Sequence, residues 1–156
     1  MSQSAAALSQ NAQTEICAAL NQSIAETVVT TMMAQNFHWN VTGMAFGPLH
    51  ALFQQVYEDH FAAQDDLAER IKALGGHANG QLADMVAASK VIEHEGHATD
   101  KEMVATLAEA ERTIASTLAG AAAVAEHHGD LLTQDLCIER GQTHDKFAWL
   151  LSAHLG

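Results

Sequence analysis

Two histidines, His38 and His50, bracket the segment FHWNVTGMAFGPLH, and two carboxylates, Asp65 and Glu69, follow downstream. Imidazole nitrogen with carboxylate oxygen is a donor set suited to iron, manganese or zinc rather than to a soft thiolate-seeking metal. Asp65 and Glu69 are spaced i, i+4, which on a helix places both carboxylates on one face a turn apart. His50 falls about 60° from Asp65 around the same helix and about 100° from Glu69. Along the axis, however, the fifteen residues from His50 to Asp65 span roughly 22 Å at ~1.5 Å per residue. No single ion touches both within one chain. Either the four residues are unrelated, with Asp65 and Glu69 a solvated face paired to Arg70 and Lys72, or two copies of the helix pack antiparallel about a two-fold axis. In that second case the histidine end of one copy meets the carboxylate end of the other. Two equivalent shared sites result, and a lone chain has none.

Helices must carry these groups. One helix is expected from about Asn11 to His38, where Leu20, Ile24, Val28 (or Thr27), Thr31 and Gln35 recur at helical steps. NVTGMAFG interrupts it, and Pro48 fits the first turn of a second helix from about Gly47 to Leu74, ended by Gly75 and Gly76. The segment from Gly75 to Thr99 is a long connection in which QLADMVAAS can form a short helix. TDKE is a capping box that starts a third long helix at Thr99, with an apolar stripe of Met103, Leu107, Ile114, Leu118, Ala122 and Ala125. HHGD breaks the chain at Gly129. A last helix runs from about Asp130 to Ala153, with Leu132, Leu136, Thr143, Phe147 and Leu150 expected inward.

Four long helices with one long connection describe a bundle with a crossover, the connection being long enough to traverse the bundle. The fold class is all-α, in a single domain: a flexible N-terminal tail over residues 1–10 and a bundle over 11–156. The composition agrees. Of the 156 residues, 48% are apolar but only 5% aromatic, and there is one proline, so closely packed Ala, Leu and Met form the core.

Seven basic and 19 acidic residues give a net charge of −12, and no Lys or Arg precedes Arg70. Such a chain attracts cations and repels DNA and anionic membranes. No apolar run is long enough for a membrane span, and MSQSAAALSQ has no secretory signal pattern, so a cytoplasmic location is expected. Cys17 and Cys137 have no motif spacing and are expected as buried reduced thiols.

Ten histidines invite other metal readings. HEGH, His94 to His97, has i, i+3 spacing rather than the i, i+4 of a zinc-protease helix, and reads as a solvated loop. His127 and His128 stand near a helix C-terminus, where imidazolium offsets the dipole. His60, near the midpoint of the second helix, is expected at the two-fold interface rather than as a ligand.

The span from His38 to Gly76, HWNVTG…F…LH…Y…D…AER…LGG, resembles the Dps family of ferritin-like miniferritins. With the four-helix pattern around it, the resemblance covers nearly the whole chain. It implies a ferroxidase centre at a two-fold interface, with His38 and His50 from one subunit and Asp65 and Glu69 from its partner. Trp39 matches a tryptophan beside that site. It further implies a hollow dodecamer built from two-fold dimers. Its substrates are Fe(II) and preferentially hydrogen peroxide, and its product is a stored ferric mineral. Where most members carry an aspartate four residues after the second histidine, this chain has Gln54. A neutral amide oxygen is the poorer iron ligand, so the second iron position is expected to be weak, with Glu58 as an auxiliary donor. Asp130, Asp135 and Glu139 are either dipole-compensating acids at a helix start or the lining of three-fold iron-entry pores.

Two rivals are weighed against this reading. A diiron oxygenase within one bundle needs E-x-x-H pairs that EHHG and ERGQTH do not supply. A DNA-protecting nucleoid protein with secondary iron binding would be marked by a basic tail, and the N-terminus has none.

Overall fold

The computed structural model describes residues 8–156, and the expected tail over residues 1–10 lies largely outside them. Helix α1 spans Gln10–Asn40. Ser9 is its N-cap, its hydroxyl accepting the Ala12 N–H at 3.2 Å, so residues 9 and 10 belong to the bundle rather than to a tail. Helix α2 spans Phe46–Ala73 and ends in a Schellman turn. There Gly76 N–H bonds to the Ile71 carbonyl and Gly75 N–H to that of Lys72. Gly75 takes φ +81°, which a side chain would resist.

Among the described residues the connection contains one short helix, α3, Leu82–Ala88, which packs on α1 and whose Met85 is buried. Helix α4 spans Asp100–His127, and the expected capping box is complete, Thr99 and Glu102 each accepting the other's backbone N–H. Helix α5 spans Leu131–Ser152 and is capped by Asp130. Among the described residues there is no strand, and no helix is long and apolar enough to cross a membrane.

The core is two apolar clusters at opposite ends of the bundle. One joins Met33 and Phe37 of α1, Leu49, Phe53 and Val56 of α2, Met103 and Leu107 of α4, and Leu151 of α5. The other joins Ile16, Leu20 and Ile24 of α1, Leu67 and Ile71 of α2, Ile114 and Leu118 of α4, and Cys137 of α5. The N-terminal halves of α2 and α4 thus share one end, so the two helices run parallel, and the long connection crosses the bundle as expected. Each fully buried Leu or Ile contributes about 1.5–3 kcal/mol.

Between the clusters lies a polar layer. It holds Glu26, Thr27 and Thr30 of α1, His60 of α2, Glu111 of α4, and Arg140 and His144 of α5, all buried. Two expectations are corrected here. His60 is not at an outer interface: it is fully buried, its Nε2 2.8 Å from Glu111 Oε1 and its Nδ1 3.0 Å from Asp59 Oδ2. The inward face of α5 is also rotated. Thr133, Cys137, Arg140, His144, Ala148 and Leu151 are buried, while Leu132 is 57% exposed and Leu136, Thr143, Phe147 and Leu150 are half-buried. The cause is that α5 turns polar side chains inward and satisfies them there. Arg140 clamps Asp59 at 2.7 and 3.2 Å, and His144 Nδ1 donates to Glu111 Oε2 at 2.6 Å.

Both cysteines are buried and free, as expected. Burial pushes the Cys137 thiol up to about 11, which keeps it protonated and unreactive.

Candidate metal centre

The α1–α2 hairpin builds the histidine half of the site. Gly43, at φ +101°, makes the turn that brings the end of α1 beside the start of α2. His38 Nδ1 lies 2.7 Å from the His50 carbonyl oxygen, and His50 Nδ1 lies 2.8 Å from the His38 carbonyl oxygen. A carbonyl only accepts, so each Nδ1 carries the proton and donates. In the neutral ring the lone pair is then on Nε2. Among the described residues neither Nε2 makes a hydrogen bond. The fold therefore sets both tautomers and orientations for binding a cation, as backbone carbonyls do for metal-ligating histidines generally.

Packing reinforces this. The two imidazoles stack with centroids 3.7 Å apart and planes 18° apart. Phe46 stacks on the outer face of the pair at 4.9 Å from His50, and Tyr57 meets His38 edge-on at 5.3 Å. Trp39 is 61% exposed on the neighbouring surface.

The carboxylate half is on the same α2, further along. Asp65 and Glu69 are exposed, and no hydrogen bond or ion pair among the described residues holds either carboxylate. The pairing with Arg70 and Lys72 that would make them an ordinary solvated face is not formed. Arg70 instead binds Asp130 at 2.8 Å and the Thr133 hydroxyl at 2.8 Å, and Lys72 donates to the Gly76 carbonyl at 2.8 Å.

The two halves do not converge within one chain. Among the described residues, the single group of three or more metal-ligating side chains that comes together is His60, Glu111 and His144 in the bundle interior. Sequence reading missed that group, although a signal existed. His60 and Glu111 both fall on the apolar stripes of their helices, between Val56 and Ala63 and between Leu107 and Ile114.

Gln54 and Glu58 follow His50 on α2, and Gln54 Nε2 donates to Glu58 Oε1 at 2.8 Å. The amide that stands in for an aspartate thus also ties down the nearest auxiliary carboxylate. Of the acids expected at a pore, Asp130 is buried and engaged as the α5 cap with Thr133 and Arg70, while Asp135 and Glu139 are exposed a turn apart on α5. His128 Nε2 lies 2.6 Å from Glu15, which lowers the Glu15 pKa, and His94 lies 3.9 Å from Glu102. His127 packs edge-on against the His128 ring, and His97 is exposed.

A family model described as a ferritin-like domain matches residues 17–156. General stress protein 20U of Bacillus subtilis (strain 168) is 31% identical over 142 residues, covering 91% of this chain and 98% of that protein. The DNA protection during starvation protein of Brevibacillus brevis is 33% identical over 138 residues, covering 87% of this chain and 91% of that protein. A crystal structure of a Dps protein from Bacillus brevis superposes with a TM-score of 0.91 at 30% identity, over 96% of this chain and all of that one (100%). The helical hairpin that orients His38 and His50, the crossover bundle around it and these likenesses lead to one conclusion: the chain belongs to the Dps family of ferritin-like proteins.

Proposed function

We propose that this protein oxidises Fe(II) at centres shared between two subunits and stores the ferric product inside a hollow dodecameric shell. The observation that carries this reading is the division of one donor set between the α1–α2 turn and the far end of α2. Two histidines with oriented, unengaged Nε2 atoms stand at one end, and two unpaired exposed carboxylates stand at the other. An antiparallel pairing of α2 with a copy of itself joins the two ends twice. Support comes from the apolar face near the midpoint of α2. Phe61 is 72% exposed and lines an open groove with Met32, Leu82 and Val86, a surface that a second copy would cover.

In this mechanism the residues bind and orient, and the iron substrate supplies the electrons. His38 and His50 approach from one subunit, Asp65 and Glu69 from the other. Two Fe(II) ions give one electron each to one hydrogen peroxide, which takes up two protons and leaves as two waters. Because both electrons are delivered together, no hydroxyl radical is released. Asp135 and Glu139, with Asp130 at their base, would line the iron-entry pores of the assembled shell. The net charge of −12 per chain draws Fe(II) toward it.

The second reading is DNA protection, the role printed in the name of the Brevibacillus brevis relative. Here the absence of any Lys or Arg before Arg70 argues against a DNA-binding tail.

Native mass spectrometry followed by anaerobic Fe(II) loading tests the proposal, with peroxide and dioxygen supplied in parallel. A dodecamer that oxidises two Fe(II) per peroxide, faster than with dioxygen, is expected. A monomer, or a shell that turns over no Fe(II) with either oxidant, removes it.

A further inference from the structure

The buried polar layer between the two apolar clusters plays no part in the shared centre on the surface. Its residues come from all four long helices at one level. On α1, Glu26, Thr27 and Thr30 fall between Ala25 of one cluster and Met33 of the other. On α2, His60 falls between Val56 and Leu67, and on α4, Glu111 falls between Ala110 and Ile114. On α5, Arg140 and His144 fall between Cys137 and Leu151. Within this layer one nitrogen of His60, one nitrogen of His144 and a Glu111 oxygen all lie within 4.8 Å of one another.

We propose that this layer is a second metal site, in which His60 Nε2, His144 Nδ1 and the Glu111 carboxylate hold one zinc-like divalent ion inside each chain. Two imidazoles and one carboxylate are a donor set that zinc takes readily, with a further position left for another oxygen. The surroundings are arranged as outer-shell partners of such a site. Asp59 receives the other nitrogen of His60 at 3.0 Å, the carboxylate–histidine arrangement that sets a ligand's tautomer. Asp59 is itself held by Arg140. Two oxygen atoms at the same level, Glu26 Oε2 and Thr30 Oγ1, are buried without a hydrogen-bond partner. Buried polar groups are seldom left so, and their concentration in one layer points to an occupant they would serve.

Protons hold the layer together when no ion is bound. His60 faces carboxylates on both nitrogens. Burial pulls its pKa down, but the Glu111 charge and the hydrogen bonds to Asp59 and Glu111 outweigh it, raising the pKa to about 9. Burial instead lowers the His144 pKa, so that ring stays neutral, its Nδ1–H on Glu111 and its Nε2 facing Arg140 Nη2 at 3.4 Å. Ion binding displaces a proton and moves another. His60 loses its Nε2 proton to solvent and keeps its Nδ1 proton on Asp59. His144 moves its one proton from Nδ1 to Nε2, which displaces the Arg140 contact. One proton leaves for each dication that enters, so the layer gains one positive charge.

The test supplies Zn²⁺ or Co²⁺ during expression, because the cluster is closed to solvent in the folded chain. It uses the full-length His50→Ala protein, which lacks one ligand of the surface centre. After dialysis against chelator, about one ion per chain is expected to remain, and the Co²⁺ form should show the intense visible bands of four-coordinate geometry. His144→Ala or Glu111→Gln in that background should lower retained metal by more than tenfold. Anomalous diffraction from Zn²⁺-loaded His50→Ala crystals needs no change in the bundle and locates the ion directly. A peak among His60, Glu111 and His144 supports the site. No retained ion, retention unchanged by His144→Ala, or no peak at that position overturns it. Iron oxidation is not a readout here, so the outcome is separate from that of the surface centre.

Discussion

His38 and His50 each donate an Nδ1 proton to the other's backbone carbonyl, at 2.7 and 2.8 Å. The two rings also stack with centroids 3.7 Å apart, so losing either side chain removes a packing wall from the other even though both backbone carbonyls remain. Each substitution at this pair is expected to remove more than one ligand's share of iron binding.

Complementation tests the shared centre. His50→Ala and Asp65→Ala chains should each be nearly inactive alone. In a mixed dimer one centre carries both substitutions and the other carries neither. With random mixing half the dimers are mixed, and half their centres are intact, so about a quarter of wild-type ferroxidase activity should return. Co-assembled shells with no recovery over the single variants would rule out sharing.

Gln54 offers a second test. Its amide oxygen is a weak ligand for a hard cation, and its amide nitrogen holds Glu58 at 2.8 Å. Gln54→Asp supplies an anion and releases Glu58, so the second Fe(II) at each centre should bind tighter, by tenfold or more (about 1.4 kcal/mol). Anaerobic titration decides this, and two equally tight Fe(II) per centre in the wild type would remove its basis.

Stability of the metal-free protein should fall in alkali. His60 keeps its proton to about pH 9 in the fold, whereas an unfolded chain releases it near 6.5. The raised pKa contributes stability that is complete below about pH 6.5 and is withdrawn as pH rises through 9, on the order of 3 kcal/mol. The opposite shifts act in acid. Despite burial, His60 and Arg140 keep Asp59 below the usual carboxylate range, and His60 and His144 do the same for Glu111. That contribution is present above about pH 4 and is lost as pH falls toward the lowered values. Melting curves in chelator at pH 6.5 and 9.5 should differ clearly for wild type and much less for His60→Gln; equal differences would contradict the assignment.

DNA should not be retained at physiological salt. Sequence-independent affinity comes from Lys and Arg releasing counterions at phosphates, and residues 1–69 contain neither. A mobility-shift assay at pH 7.5 without divalent cations checks this, micromolar retardation of plasmid being the contrary result.

Much of the bundle was legible in the chain because its boundaries are local chemistry. The Thr99–Glu102 box, the Gly75–Gly76 turn and Gly129 each act through neighbours a few residues away, and each stands where it was expected. The 22 Å problem between His50 and Asp65 was likewise a matter of helix rise alone. The α5 face and His60 were misread for one reason. Periodicity assigns apolar residues inward, and nothing local announces that Arg140, His144, His60 and Glu111 satisfy one another across three helices. The empty place in the α4 stripe, between Leu107 and Ile114, was the mark of it.

The same polar layer also bears on alignment. Alanine-rich helices are nearly smooth rods, and two of them can slide by a turn, ~5.4 Å, with little change in apolar contact. Here a one-turn slip of α5 would carry Arg140 and His144 into an apolar cluster and leave Glu111 and His60 unanswered, a penalty of several kcal/mol. The layer thus works as a notch that admits a single longitudinal setting of the four rods, as one buried polar residue does in a coiled coil. Replacing His60, Glu111 and His144 together with Leu, Met and Leu should leave the chain helical and comparably stable to heat. Its amide NMR spectrum should lose dispersion and multiply peaks as the rods take several settings; a single sharp set of resonances would mean the notch is not needed.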